Sequence, residues 1–273
     1  MHPRLLLIAT LVGCGSSDAS LEAVEEALVG ELPEGPGALP LPFPVVEEAL
    51  QPGQQVLAPT EAAVQALRQR GEGPLVFYGQ TVREVEGPEV VVSGPSGWSR
   101  VPAMVVVPLE DELEVTEGDW VLGSHPHAAG WQRARVVKGG RSPTVRLVDH
   151  GGRQSSWSPG SFRRLDGEHG PGATVVCGER GVHGMVVRRH DDDLLVVGFA
   201  GRLRVEPAEA CRPVAPAEAL EVGDRVSVPR LGRMVEGEVA ATDPDSGRVQ
   251  VTTEFAGRAS THGYAWLDVV PAD

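Results

Sequence analysis

Three sets of residues in this chain have types and spacings suited to chemistry. Cysteines stand at Cys14, Cys177 and Cys211, and a thiol can carry a covalent attachment or join a disulfide. Trp120 precedes Arg133, Arg135 and Arg146 within one short stretch. An exposed indole beside guanidinium groups suits an acidic polymer, an anionic glycan or an acidic protein segment. His125-Pro126-His127 and His150 place imidazoles on loops, but no carboxylate or thiol accompanies them, so no metal site is expected. Asp243-Pro244-Asp245-Ser246-Gly247 lacks the further oxygen ligands of a calcium loop and reads as a hairpin turn. No Ser, Cys or Lys stands in a nucleophile elbow, and no phosphate-binding glycine loop precedes a helix. The expectation is a protein that is not an enzyme, with no catalytic residue and no cofactor.

The elements that carry these residues are short. The 273 residues include 34 Gly and 23 Pro, with aromatics at only 4%, a composition that fits an all-β chain with many turns. The net charge of −14 argues against a nucleic acid partner. The charge is unevenly placed. Residues 14–52 hold eight acids and no Lys or Arg, whereas residues 118–166 hold eight Lys or Arg against three Asp.

Arg4 opens the apolar run Leu5-Leu6-Leu7-Ile8-Ala9-Thr10-Leu11-Val12, which meets Gly13-Cys14. The run is too short to span a hydrocarbon core of about 30 Å, but it suits a secretion signal. Leu11-Val12-Gly13-Cys14 resembles the lipobox of bacterial lipoproteins. The resemblance implies a signal peptide over 1–13, lipidation of Cys14 and a membrane as partner through that lipid. It also implies an extracytoplasmic, lipid-anchored location, and Gly15 in place of Asp favours the outer membrane over the inner. Residues 14–52 read as a flexible, acidic, Pro-rich stalk with a short helix starting at Ser20.

Beyond the stalk one pattern recurs four times. A turn then a strand appears at Gly53-Gln54-Gln55-Val56, Gly118-Asp119-Trp120-Val121, Gly172-Ala173-Thr174-Val175 and Gly223-Asp224-Arg225-Val226. A second strand follows, aligning Val82, Val136, Val186 and Val239, with Gln80, Ala134, Gly184 and Gly237 two places earlier. Three small residues in that place indicate a tightly curved strand. A third landmark reads His150-Gly151-Gly152-Arg153, Phe199-Ala200-Gly201-Arg202 and Phe255-Ala256-Gly257-Arg258. Nine residues past each Arg come Phe162, Cys211 and Leu267, and twelve past come Leu165, Val214 and Val270. These apolar positions are expected on closing strands. Thr60 to Arg70 reads as a helix inserted into the first copy.

At Trp131-Gln132-Arg133-Ala134-Arg135-Val136 and Val145-Arg146-Leu147-Val148-Asp149-His150-Gly151, the second copy resembles a Tudor domain. The opening Gly-Asp-x-Val is similar to that of Agenet and other SH3-like barrels. The resemblance implies four tandem five-stranded SH3-like barrels at 53–109, 118–166, 172–214 and 223–271. Tudor domains cage methylated side chains with aromatics. Here the second copy offers only His125, Gln132, Leu147 and His150, while Tyr78, Phe199 and Phe255 each fill one cage-like position in the other copies. A complete cage is therefore not expected. By the repeat register Cys177 and Cys211 lie inward on the first and last strands of the third copy, which are neighbours in such barrels, leaving a disulfide or two buried thiols open.

Together these features give a membrane-anchored binding module for a protein or anionic polymer, with Trp120, Arg133, Arg135, Arg146 and His150 as the expected contact. A purely structural spacer of the cell envelope is the alternative. Trp120 either faces solvent, as strand alternation from inward Val121 requires, or packs against a neighbouring barrel.

Overall fold

The computed structural model describes residues 32–71, 73–94, 97–124, 130–165, 168–179, 181–215, 220–255 and 257–272, the side chain of Phe255 excepted. The signal peptide, Cys14, the Ser20 helix and His125-Pro126-His127 lie outside them. The described chain is all-β with one α-helix. The first five strands are β1 (Gln55–Ala58), β2 (Tyr78–Glu86), β3 (Glu89–Gly94), β4 (Gly97–Pro102) and β5 (Val107–Pro108). Next come β6 (Trp120–Ser124), β7 (Trp131–Lys138), β8 (Thr144–Leu147), β9 (Arg153–Ser156) and β10 (Phe162–Arg164). A third set is β11 (Thr174–Cys177), β12 (Val182–His190), β13 (Asp193–Gly198), β14 (Leu203–Pro207) and β15 (Cys211–Pro213). The last set is β16 (Arg225–Arg230), β17 (Arg233–Asp243), β18 (Arg248–Phe255), β19 (Arg258–Ala265) and β20 (Val270–Pro271).

Every pairing is antiparallel, and the four groups share one order, in which the first strand lies between the second and the fifth. Groups one and two form separate five-stranded sheets. Groups three and four join through Val182 opposite Arg233 into a sheet of ten strands. Among the described residues no sheet closes on itself.

The repeated residues of the sequence build the same bracket in each group. Gly53, Gly118, Gly172 and Gly223 take left-handed φ of 94°, 90°, 85° and 96°, open to glycine and costly for most other residues. Their N–H groups donate to the carbonyls of Val82, Val136, Val186 and Val239 at 2.9, 2.9, 2.7 and 2.9 Å. Each valine donates back to Gln54, Asp119, Ala173 or Asp224 at 2.8–2.9 Å. Immediately beyond each valine the register slips by one residue, a bulge that bends the strand over its own core. The valines are fully buried, or nearly so.

Small residues stand before these valines because backbones come close there. A Cβ on Gly184 would lie 2.4 Å from Val196 Cγ1, and one on Gly237 2.6 Å from Val251 Cγ1. The spacing read from the arginine landmark holds in groups two and three, where Phe162 lies opposite Gly123 and Cys211 opposite Cys177. It slips in group four. Ser227 pairs with Val270, so continuing the register sets Val269 opposite Val228, the place equivalent to Phe162. Val269 fills the group-four core, whereas Leu267 packs between groups two and four. The longer β18–β19 hairpin, paired over eight residues, shifts the count.

The helix expected at Thr60 to Arg70 is α1 (Glu61–Arg70). Thr60 caps it by accepting the Ala63 N–H, and Gly71 ends it in the left-handed conformation. Val64 and Leu67 are buried with the group-one core.

Residues 32–52 correct the stalk expectation. Leu39 and Phe43 are 2% and 1% exposed and, with Leu50, join an apolar cluster that also takes in group one and Val187, Leu195, Val197 and Leu203 of group three. Phe43 meets His190 edge-on at 6.3 Å, and Glu48 pairs with Arg188. The prolines prevent a helix, but an irregular segment can still bury apolar side chains, each contributing roughly 1.5–3 kcal/mol. Between groups one and two, Phe77 stacks on Trp131 at 4.7 Å. No helix among the described residues is long and apolar enough to cross a membrane.

Two outcomes follow for stability. Gly184→Val should lower stability by about 1–3 kcal/mol through overpacking, measured by urea unfolding. Cys177 and Cys211, opposite one another in the β11–β15 pair, are joined by a disulfide. Reduction should cost roughly 2–4 kcal/mol, read as a lower melting temperature in reductant that Cys177→Ala/Cys211→Ala reproduces without reductant.

Candidate functional site

Arg133, Arg135 and Arg146 do not gather on an exposed face. Arg133 is 4% exposed. Its guanidinium meets Asp149 at 2.6 Å, Asp268 of group four at 2.8 Å and the Thr174 hydroxyl of group three at 2.7 Å. His183 of group three completes the node at 3.2 Å from Asp268. Burial acts to lower the Arg133 pKa, but the charges of Asp149 and Asp268 outweigh it and raise the value. Burial likewise acts to raise the Asp268 pKa. The Arg133 charge and the hydrogen bonds from His183 and Arg133 overcome it and hold the carboxyl far below the usual range. This node bolts three strand groups together, so Arg133 is structural and not a ligand contact.

Trp120 does point out of its own group, but it lands on another. Its ring packs among the group-four core and beside Val148, Leu165, Ala265 and Leu267. A Cβ on Gly247 would sit 2.9 Å from the ring. Arg135 donates to the Pro244 carbonyl at 3.1 Å and lies 6.0 Å from the centre of the Trp266 ring. Arg146 is half-buried and acts electrostatically on Asp243, whose carboxyl is held low chiefly by a hydrogen bond from Ser246. The Ser246 backbone N–H also donates to the Asp243 carboxyl, at 3.2 Å, within the β17–β18 turn, in the place read as a hairpin. His150 is half-buried beside Arg153. Arg133, Arg135 and Arg146 are thus directed at the other groups. Tyr78, also half-buried, begins β2 opposite Ala58.

Phe199 is different. It is 57% exposed and stands at the joint between groups three and four. The cleft there, about 340 Å³, has Val182 and Gly198 beside it. One wall is the tight turn Phe199–Gly201 with Arg202 and Arg204 following, and the other is the β16–β17 hairpin tip at Leu231, Gly232 and Arg233. The volume lies at the small end of the roughly 300–1,000 Å³ range of ligand pockets. Three arginines line it, all exposed. Arg202 and Arg233 have no ion-pair partner among the described residues, and Arg204 acts on Glu206, a carboxyl raised by burial against that pull.

The backbone of both walls is strained. Among the described residues only Asp191, Ala200 and Leu231 are non-glycines with positive φ, and Ala200 and Leu231 are in this cleft at 58° and 51°. Such conformations cost on the order of 1–2 kcal/mol each; at Leu231 the two-residue β16–β17 hairpin imposes it, since both central residues of such a turn take positive φ. Leu231, at the tip of that hairpin, is 66% exposed. Phe199 and Arg202 belong to the repeated Phe-Ala-Gly-Arg landmark. Leu231 and Arg233 carried no sequence signal, because the hairpin tip reads as an ordinary Leu-Gly turn until Phe199 is set against it. A Cβ on Gly232 would lie 2.9 Å from the Phe199 Cβ.

Among the described residues no grouping of His, Cys, Asp and Glu has the geometry to hold a metal ion. No protein-family model matches the chain, and no curated protein matches it in sequence.

Replacing Arg133 by Met should destabilise the protein by about 3–5 kcal/mol near neutral pH, because Asp268 and Asp149 are left without their cation. Asp268 has a folded pKa below its unfolded value of about 3.9, so its contribution is present above that value and is lost as the pH falls through the folded pKa. The gap between wild type and Arg133→Met should therefore shrink as unfolding is measured at increasingly acid pH. A gap that stays constant would refute the ionic role of the node.

Proposed function

We propose that this chain is a lipid-anchored, non-catalytic binding protein of the bacterial envelope, in which four tandem SH3-like barrels form a packed frame that offers one cleft to an anionic partner. The strand order common to all four groups supports the barrel reading, since an SH3-like barrel sets its first strand between its second and fifth. Leu11-Val12-Gly13-Cys14 supports the anchor, and a disulfide is in keeping with an oxidising compartment. The observation that carries the binding role is the Phe199–Leu231 cleft. It keeps two large apolar side chains and three exposed arginines together in a protein of net charge −14.

Two measurements test the two halves of the reading. Palmitate should label the wild type in cells and fail to label Cys14→Ser; equal labelling would remove the anchor. Immobilised mature protein should retain an envelope component that elevated salt releases and that Arg202→Ala/Arg233→Ala does not retain. Identical retention by that variant would remove the cleft from the function.

A further inference from the structure

We infer that the cleft receives a short acidic peptide segment bearing an apolar side chain, supplied by a partner protein. The inference rests on the anionic-partner reading and adds the chemistry of the occupant. Arg202 and Arg204 flank Leu203, which is 8% exposed and faces inward, so the two arginines share the outward face. Their Cα atoms repeat at about 6.5–7 Å along the extended chain. Carboxylates two residues apart on an extended peptide repeat at the same distance, and each guanidinium can hold one through paired N–H donors.

Arg233 faces them from the opposite wall, at the point where β12 and β17 meet. Phe199 and Leu231, 57% and 66% exposed, line the cleft with them. Covering these two side chains is favourable only if the ligand brings apolar surface of its own. A polyphosphate satisfies the arginines and offers Leu231 nothing. A long polyanion of any kind also meets repulsion from the rest of a chain carrying −14. A short peptide with acidic residues either side of a Leu or Phe meets both requirements, and the cleft volume of about 340 Å³ suits only a few side chains.

The test uses the mature full-length protein and fluorescence anisotropy. The probes are a labelled Asp-Phe-Glu-Leu-Glu peptide, a pentaglutamate of equal length, inorganic polyphosphate and a Lys-Phe-Lys-Leu-Lys control. The mixed peptide should bind at least about tenfold more tightly than pentaglutamate, and Phe199→Ala should erase that advantage while leaving pentaglutamate unchanged. Arg202→Ala and the charge reversal Arg233→Glu should each weaken both acidic peptides about tenfold or more. Thermal unfolding of each variant should match wild type, since these side chains are exposed. If pentaglutamate or polyphosphate binds as tightly as the mixed peptide and Phe199→Ala has no effect, the peptide inference fails while the anionic-partner reading stands. If no acidic probe binds more tightly than the lysine control, or the arginine substitutions have no effect, both fail.

Discussion

In each strand group a glycine in the left-handed conformation donates its N–H to the carbonyl of an inward valine on the next strand, and the valine donates back to the residue after the glycine. This reciprocal pair of bonds is the constraint from which the rest of the molecule is built. It sets the register of the first two strands and places the bulge directly after the valine. The bend that follows lets about fifty residues wrap a small apolar centre of valines and leucines. Such centres are small, and units of this size are marginal by themselves.

Stability therefore has to come from contacts between groups as well as within them. Apolar surface is shared in three places. The segment at 32–52 lies across groups one and three, Phe77 stacks on Trp131 between groups one and two, and Trp120 reaches into group four. The Arg133 node adds an ionic contact among groups two, three and four. A buried ion pair is weak evidence of net stabilisation, because desolvation offsets much of the attraction. Its larger effect is on geometry: it is satisfied only when Asp149, Thr174, His183 and Asp268 converge, which favours one arrangement of three groups over the alternatives.

That arrangement sets the surface left for a partner. Packing half-buries Trp120 against group four and engages Arg133 and Arg135 in internal contacts, so these residues do not form one exposed face. Strand pairing between groups three and four is limited to Val182 opposite Arg233, beside a hydrogen bond from the Met234 N–H to the Gly181 carbonyl at 3.3 Å. Beside that pairing Phe199 and Leu231 remain exposed and line a cleft. A hydrogen bond from the Leu75 N–H to the Gly201 carbonyl at 2.8 Å fixes the Phe199–Gly201 turn.

Much of the fold was legible from local chemistry. The four glycines, the inward valines, the small residues before them and helix α1 with its Thr60 cap all follow from turn preferences and side-chain periodicity, which act over a few residues. Alternation also placed Trp120 correctly on the outside of its own group. Only the tertiary structure decided what that outside touches. Arg133 finds Asp268 across 135 residues, the apolar side chains of 32–52 find a core that no local pattern announces, and Leu231 meets Phe199 only once two groups are joined. Periodicity reports which face of a strand is apolar. Whether a polar or aromatic face then meets water or another group depends on how the groups stack, and that depends on long-range packing and charge pairing absent from any short window of sequence.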